Sequence, residues 1–140
     1  RATAGVRARG VAETRVVLAL LAGALVTDGA AGVVVVGRAV GACVQARVAK
    51  RLAEAGTPAK RLILVGTASG FIEGARHYET EAVKPDTIVI HGSRDQVVPL
   101  ANVLARAEPL NLPITVVPGA DHFFHARLSM LRDIIVQAWR

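Results

Sequence analysis

The stretch "VVVVGRAVGA", residues 33–42, runs from four valines into two glycines. A glycine turn between a strand and a helix can hold a phosphate, present a nucleophile, or only let the chain turn tightly. The residue between the glycines, Ala39, has no reactive group. Two further segments supply groups of acid–base type, Asp95 in "HGSRDQVVP" and His122 in "GADHFF". The chemistry therefore depends on which elements position these residues.

Apolar runs and helical periodicities alternate along the chain, and they predict strands and helices respectively. The predicted strands are residues 32–36, 61–65, 87–91 and 114–117, and the predicted helices are residues 13–26, 40–55, 99–108 and 125–139. Strands that alternate with helices favour a parallel sheet with right-handed crossovers. We therefore predict a three-layer α/β fold with a mostly parallel sheet of about four strands.

Reactive groups in such sheets collect beyond the carboxyl ends of the strands. The glycine turn follows the first predicted strand, Asp95 follows the third, and the loop with His122 follows the fourth. A long connection, residues 66–85, follows the second strand and includes Ser69. We therefore expect the turn, a carboxylate and an imidazole on one rim of the sheet, in that order along the chain.

Glycines on both sides of one residue, between a strand and a helix, give the geometry of a nucleophile elbow. "GRAVG", "HGSRDQVVP" and "GADHFF" follow in the order elbow, acid, histidine. From residue 32 onward the chain resembles the C-terminal part of an α/β-hydrolase, in particular the small lidless hydrolases related to dienelactone hydrolases and short-chain esterases. The resemblance implies a carboxylic-ester hydrolase that acts on a small ester-like substrate without a cofactor.

The resemblance implies a role for each matching residue. Asp95 would be the acid that fixes the tautomer of His122, and His122 would be the general base and then the general acid. Ala39 stands at the nucleophile position. The backbone N–H of Val40, at the start of the helix, would donate to the oxyanion.

Candidate substrate contacts are Arg38, which lies beside the turn and could favour an acidic substrate, and Ser69 on the rim.

Cys43 lies inside the predicted helix and is interpreted as a small buried apolar residue, not as a substitute nucleophile. His125 follows His122 by three residues, but no further ligand at metal spacing accompanies them. We therefore predict no metal site.

Two departures from the family pattern change the expected activity. Ala39 cannot attack a carbonyl, and loss of a triad nucleophile costs about a million-fold in turnover. The family's N-terminal strands, with the loop that gives the second oxyanion donor, are absent from the single domain predicted over residues 1–140. The sheet edge at residues 33–36 would then be unpaired, and an open apolar edge favours association. We therefore predict a nearly inactive homo-oligomer, most simply a dimer, or a partner that supplies the N-terminal half.

Two other functions stay open. The glycine turn could hold a nucleotide phosphate, although it lacks the G-x-G-x-x-G spacing and the Lys-Ser/Thr pair of a P-loop. The absent nucleophile and the absent half instead favour a non-catalytic, oligomeric relic of the fold that binds a ligand at its open rim. A serine codon at position 39 of the encoding gene would separate an enzyme from such a relic.

Composition limits the partners. The chain of 140 residues is 52% hydrophobic, and its formal charge of +6 comes from scattered basic residues without interleaved aromatic side chains, so we predict no nucleic-acid partner. The most apolar segment, residues 16–26, is too short to span a bilayer, so no membrane partner is expected. One cysteine permits no internal disulfide and is compatible with a reducing compartment. We predict a cytoplasmic protein.

Overall fold

Strands and helices alternate in the computed structural model, which describes residues 25–27, 33–38, 40–67, 70–71, 77–78 and 83–139. The strands are β1 Leu25–Thr27, β2 Val33–Arg38, β3 Arg61–Val65, β4 Gly70–Phe71, β5 His77–Tyr78, β6 Ile88–Gly92 and β7 Ile114–Val117. The helices are α1 Val40–Glu54, α2 Leu100–Ala107 and α3 Leu128–Trp139, and a 3-10 helix spans Glu108–Leu110.

The main sheet has five strands in the order β1-β2-β3-β6-β7. Strands β2, β3, β6 and β7 are parallel, with Leu64 opposite Val89 and Ile90 opposite Thr115. Their carboxyl ends therefore meet at one edge of the sheet. Strands β4 and β5 form a separate antiparallel pair. The predicted α/β fold with about four mostly parallel strands is confirmed.

The start of the sheet differs from the prediction. Residues 25–27, which overlap the last two residues of the predicted helix, form β1, which pairs antiparallel with β2 and places Val26 opposite Val34. The rest of that predicted helix lies outside the described residues. A wholly apolar run has no periodicity that separates strand from helix, and pairing satisfies the backbone groups along β2. The β2 edge is therefore not open, and the argument for a dimer through that edge is wrong.

Side chains of the central strands pack on both faces of the sheet, as parallel strands between two helical layers require. On one face, Ala42 of α1 packs with Leu62 and Leu64, and Val103 of α2 packs with Val89 and Val98. The other face packs Ile63, Val65, Ile90, Val117, Ala120 and Phe124 against Leu131 and Ile135 of α3. Each fully buried large apolar side chain contributes about 1.5–3 kcal/mol. The three predicted layers are present.

Helix α3 begins at Leu128, three residues later than predicted. Phe124 and Ala126 have φ of 55° and 56°, which a right-handed helix excludes, so the chain still turns at these positions. No helix in the described ranges is long and apolar enough to cross a membrane.

Candidate active site

Asp95 lies in a tight turn directly after β6. The backbone N–H groups of Val97 and Val98 donate to its Oδ1 at 2.9 and 2.7 Å. An aspartate that accepts bonds from the next residues stabilises such a turn. One carboxylate oxygen is therefore held by the backbone, and the buried Oδ2 faces the loop after β7.

The loop after β7 docks on the Asp95 turn through two hydrogen bonds and one close backbone approach. Arg94 N–H donates to the carbonyl of Ala120 at 2.9 Å, and Gly119 N–H donates to Ser93 Oγ at 2.8 Å. A Cβ added to Gly92 would lie 2.3 Å from the Ala120 oxygen. The close approach therefore requires glycine at position 92, and it brings the loop with His122 onto the turn.

His122 Nδ1 and Asp95 Oδ2 are 2.8 Å apart, so the structure brings together the two residues whose order along the chain predicted their proximity. A carboxylate only accepts, so the hydrogen lies on Nδ1 of His122 and the neutral ring keeps Nε2 as its proton acceptor. Both residues are buried, with 6% of His122 and 8% of Asp95 exposed. The arrangement can present an oriented imidazole base at the rim.

The environment of Asp95 lowers the pKa of its carboxyl below the ordinary value. Burial alone raises this pKa, because the charged form loses water. Four effects together outweigh that of burial: in decreasing order, the hydrogen bond from His122, the one from the Val98 N–H, the charge of His122 when it is protonated, and the hydrogen bond from the Val97 N–H. Asp95 is therefore ionised at neutral pH, as an acceptor for His122 must be.

A glycine that sequence reasoning missed lies against the pair. Gly66 follows β3 with φ of +54°, and an added Cβ would lie 3.5 Å from His122 Nδ1 and 3.7 Å from Asp95 Oδ2. Its N–H donates to the Ile90 carbonyl at 3.0 Å. The left-handed φ favours glycine here. A glycine after a rim strand was the only sequence signal, and it does not distinguish this contact from an ordinary turn.

The glycine turn joins β2 to α1 directly, because Arg38 is the last residue of the strand and Val40 the first of the helix. The Val40 N–H therefore belongs to the first helical turn, whose N–H groups have no partner within the helix. Ala39 and Ser69 lie outside the described residues. The roles of Ala39, Val40, Arg38 and Ser69 stay predictions.

Gly37 lets the strand and the helix of this turn approach closely. An added Cβ would lie 2.6 Å from Cα of Ala42 and 2.9 Å from Cβ of Gln45. Gly37→Ala is expected to displace α1 and to lower the free energy of unfolding by about 1–3 kcal/mol. Urea unfolding measures this loss. A Gly37→Ala protein as stable as the parent would show that α1 does not lie so close to β2.

Asp121 and His125 form a second, exposed pair beside the first. His125 Nδ1 lies 2.6 Å from Asp121 Oδ2, and Asp121 Oδ1 accepts from the N–H groups of Phe123 and His125. These bonds close the turn that presents Phe123, whose ring stands edge-on to the His122 ring with centroids 5.2 Å apart. Within the ranges that the structure describes, no three His, Cys, Asp or Glu side chains are grouped to hold a metal.

Solved structures share this arrangement of elements. An α/β serine hydrolase homologue from Coxiella burnetii is 31% identical with a TM-score of 0.56, and the match covers 74% of this chain and 47% of that one. A lidless α/β serine hydrolase from Xanthomonas campestris is 26% identical with a TM-score of 0.58, covering 75% and 45%. Est1E from Butyrivibrio proteoclasticus, 13% identical with a TM-score of 0.50 over 74% and 60%, shares the fold.

No protein-family model matches the chain, and no curated protein matches it. The chain spans less than half of the Coxiella and Xanthomonas structures. The parallel order β2-β3-β6-β7 and these similarities lead to one assignment. The chain has the α/β-hydrolase fold, and it is similar to an α/β serine hydrolase homologue and to a lidless α/β serine hydrolase over about half of their length.

Proposed function

We propose that position 39, Asp95 and His122 form the site of a carboxylic-ester hydrolase that transfers an acyl group to water. One observation carries the proposal: His122 Nδ1 lies 2.8 Å from the buried Oδ2 of Asp95, at the edge of the sheet where β2 passes into α1. The similarity to α/β serine hydrolases supports the same chemistry. The proposed substrate is a small ester-like molecule, and the mechanism uses no cofactor.

The proposed cycle requires a serine at position 39. His122 Nε2 takes the proton of the serine Oγ while Oγ bonds to the ester carbonyl carbon. The carbonyl oxygen becomes an oxyanion, to which the Val40 N–H donates. His122 then gives the proton to the departing alcohol oxygen as the C–O bond breaks, which leaves an acyl-serine. A water molecule then attacks the acyl carbon while His122 Nε2 takes its proton. His122 returns the proton to the serine oxygen as the acid is released, and Asp95 stays ionised throughout.

Ala39 stops this cycle before the first bond forms, because a methyl group has no oxygen to attack with. With Ala39, the proposed site therefore binds an ester without cleaving it by this route. Ala39 thus favours a second function, that of a non-catalytic protein that keeps the rim for binding a ligand. The two functions share one surface and differ in the residue at position 39.

Phe123 would supply an apolar contact on the surface that binds the substrate. Its side chain is 53% exposed next to His122. Apolar side chains around a few polar groups are typical of small-molecule sites, so Phe123 is proposed to contact the hydrocarbon part of an ester. Arg38 and Ser69 are the proposed contacts of its polar groups.

We propose a cytoplasmic protein whose residues 1–140 act as one domain and associate as a dimer or with a chain that supplies further strands. Since β1 covers the edge of β2, such an association has to use another surface.

A fluorophosphonate, which reacts with a serine oxygen activated by a base, tests the proposed site. We expect the Ala39→Ser protein to be labelled at residue 39, and the parent chain, despite Ser69, Ser93 and Ser129, to stay unlabelled. Mass spectrometry of the digested protein locates the label. The control is Ala39→Ser combined with His122→Asn, which should not react. Absent labelling of a folded Ala39→Ser protein, or labelling that survives the loss of His122, contradicts the proposal.

A further inference from the structure

His91 is a buried histidine that the proposed mechanism does not use. It lies in β6 directly before Gly92, and none of its side chain is exposed. Its Nε2 lies 2.9 Å from the carbonyl oxygen of Val98 and 3.5 Å from Oδ2 of Asp95. Two imidazoles, those of His91 and His122, therefore approach the same carboxylate oxygen.

The acceptor on Val98 fixes where the His91 ring carries its hydrogen. A carbonyl oxygen only accepts, so Nε2 bears the hydrogen and donates it. Nδ1 of His91 is buried and has no hydrogen-bond partner in the part of the chain that the structure describes. A hydrogen on Nδ1 would add a buried donor without an acceptor. The ring therefore acts as a single fixed donor.

Val98 links this donor to the carboxylate. Its N–H donates to Asp95 Oδ1 at 2.7 Å, while its carbonyl accepts from His91 at 2.9 Å. The turn from Asp95 to Val98 is thus held by the carboxylate within it and by His91 from the strand before it. With Oδ1 held in this way, Oδ2 is the oxygen that faces His122.

We propose that His91 is a positioning residue: it holds the Val98 peptide and excludes water beside Oδ2, and so keeps Asp95 on the Nδ1 hydrogen of His122. The inference rests on the proposed function. If only bulk were needed at position 91, an aliphatic side chain would fill the space in this apolar strand without burying an unpartnered nitrogen such as His91 Nδ1. The contribution of His91 is therefore its N–H donor and not its bulk.

Nuclear magnetic resonance of the 140-residue chain tests this positioning without any turnover. The hydrogen between His122 and Asp95 gives a downfield imidazole resonance. We expect His91→Leu, and His91→Asn, whose amide is too short to reach Val98, to shift the resonance or broaden it by exchange with water. His91→Gln, whose amide can still reach the Val98 carbonyl, should restore it. Leu62→Ala, which loses packing beneath α1, should leave it in place.

A kinetic measurement with Ala39→Ser as the parent gives the second readout. With p-nitrophenyl acetate as substrate, His91→Leu should lower kcat about ten- to a hundredfold with KM unchanged, because a misplaced catalytic group slows turnover by that order. His91→Gln should recover most of the lost kcat. An unchanged resonance in folded His91→Leu and His91→Asn, or an equal change in Leu62→Ala, overturns the proposal. An inactive Ala39→Ser protein overturns the proposed function instead, and the resonance still decides the role of His91.

Discussion

Replacing Ala39 with serine is expected to convert the chain into a measurable esterase. Loss of a triad serine lowers turnover about 10⁶-fold, so its return can restore at most about that factor. If the Val40 N–H is the only oxyanion donor, the lack of a second donor lowers the restored turnover by about 10²–10³-fold. We therefore expect p-nitrophenyl acetate hydrolysis to rise by roughly 10³- to 10⁶-fold over the parent chain.

Initial rates of nitrophenolate release measure this gain. The matched control combines Ala39→Ser with His122→Asn, which keeps the new hydroxyl and removes its base, and its rate should fall back to that of the parent. A folded Ala39→Ser protein that is no faster than the parent would refute the assignment of position 39. Full activity in the parent after a thiol reagent has blocked Cys43 would refute it as well.

The rim of the sheet could be predicted because its strands are continuous apolar runs. A strand buried on both faces, such as β3, shows such a run whatever its neighbours are. The predicted bounds agree with the structure at Arg61–Val65 for β3 and, although Thr115 and Val116 are exposed, at Ile114–Val117 for β7. The parallel order then brings Asp95 and His122 to one edge, where Asp95 Oδ2 lies 2.8 Å from His122 Nδ1. The catalytic roles of these two residues stay predictions.

Other features depend on contacts that the local sequence pattern does not show. Residues 25–27 form a strand because β2 offers them an edge, and nothing within that apolar run distinguishes a strand from a helix. His125 fits the periodicity of α3, but its N–H donates to the Asp121 side chain, which holds it in a turn before the helix. The contact of Gly66 with His122 likewise depends on how the loop after β7 docks.

Asparagine in place of Asp95 is expected to lower the kcat of the Ala39→Ser protein by about 10⁴-fold. The N–H groups of Val97 and Val98 donate to Oδ1, so the amide oxygen keeps that position and the NH₂ group faces His122. Because NH₂ donates, His122 must accept on Nδ1 and carry its hydrogen on Nε2. Nε2 then has no lone pair with which to take the proton of the serine.

The rate at saturating p-nitrophenyl acetate measures this loss, and Asp121→Asn is the matched control. It makes the same change in the carboxylate that pairs with the exposed His125 instead of His122, so its turnover should stay near that of the Ala39→Ser parent. Equal losses in both variants would indicate a disturbed loop and not a wrong tautomer. Since asparagine retains the acceptor for Val97 and Val98, Asp95→Asn should remain folded in urea unfolding. A folded Asp95→Asn protein with undiminished kcat would exclude Asp95 as the residue that orients His122.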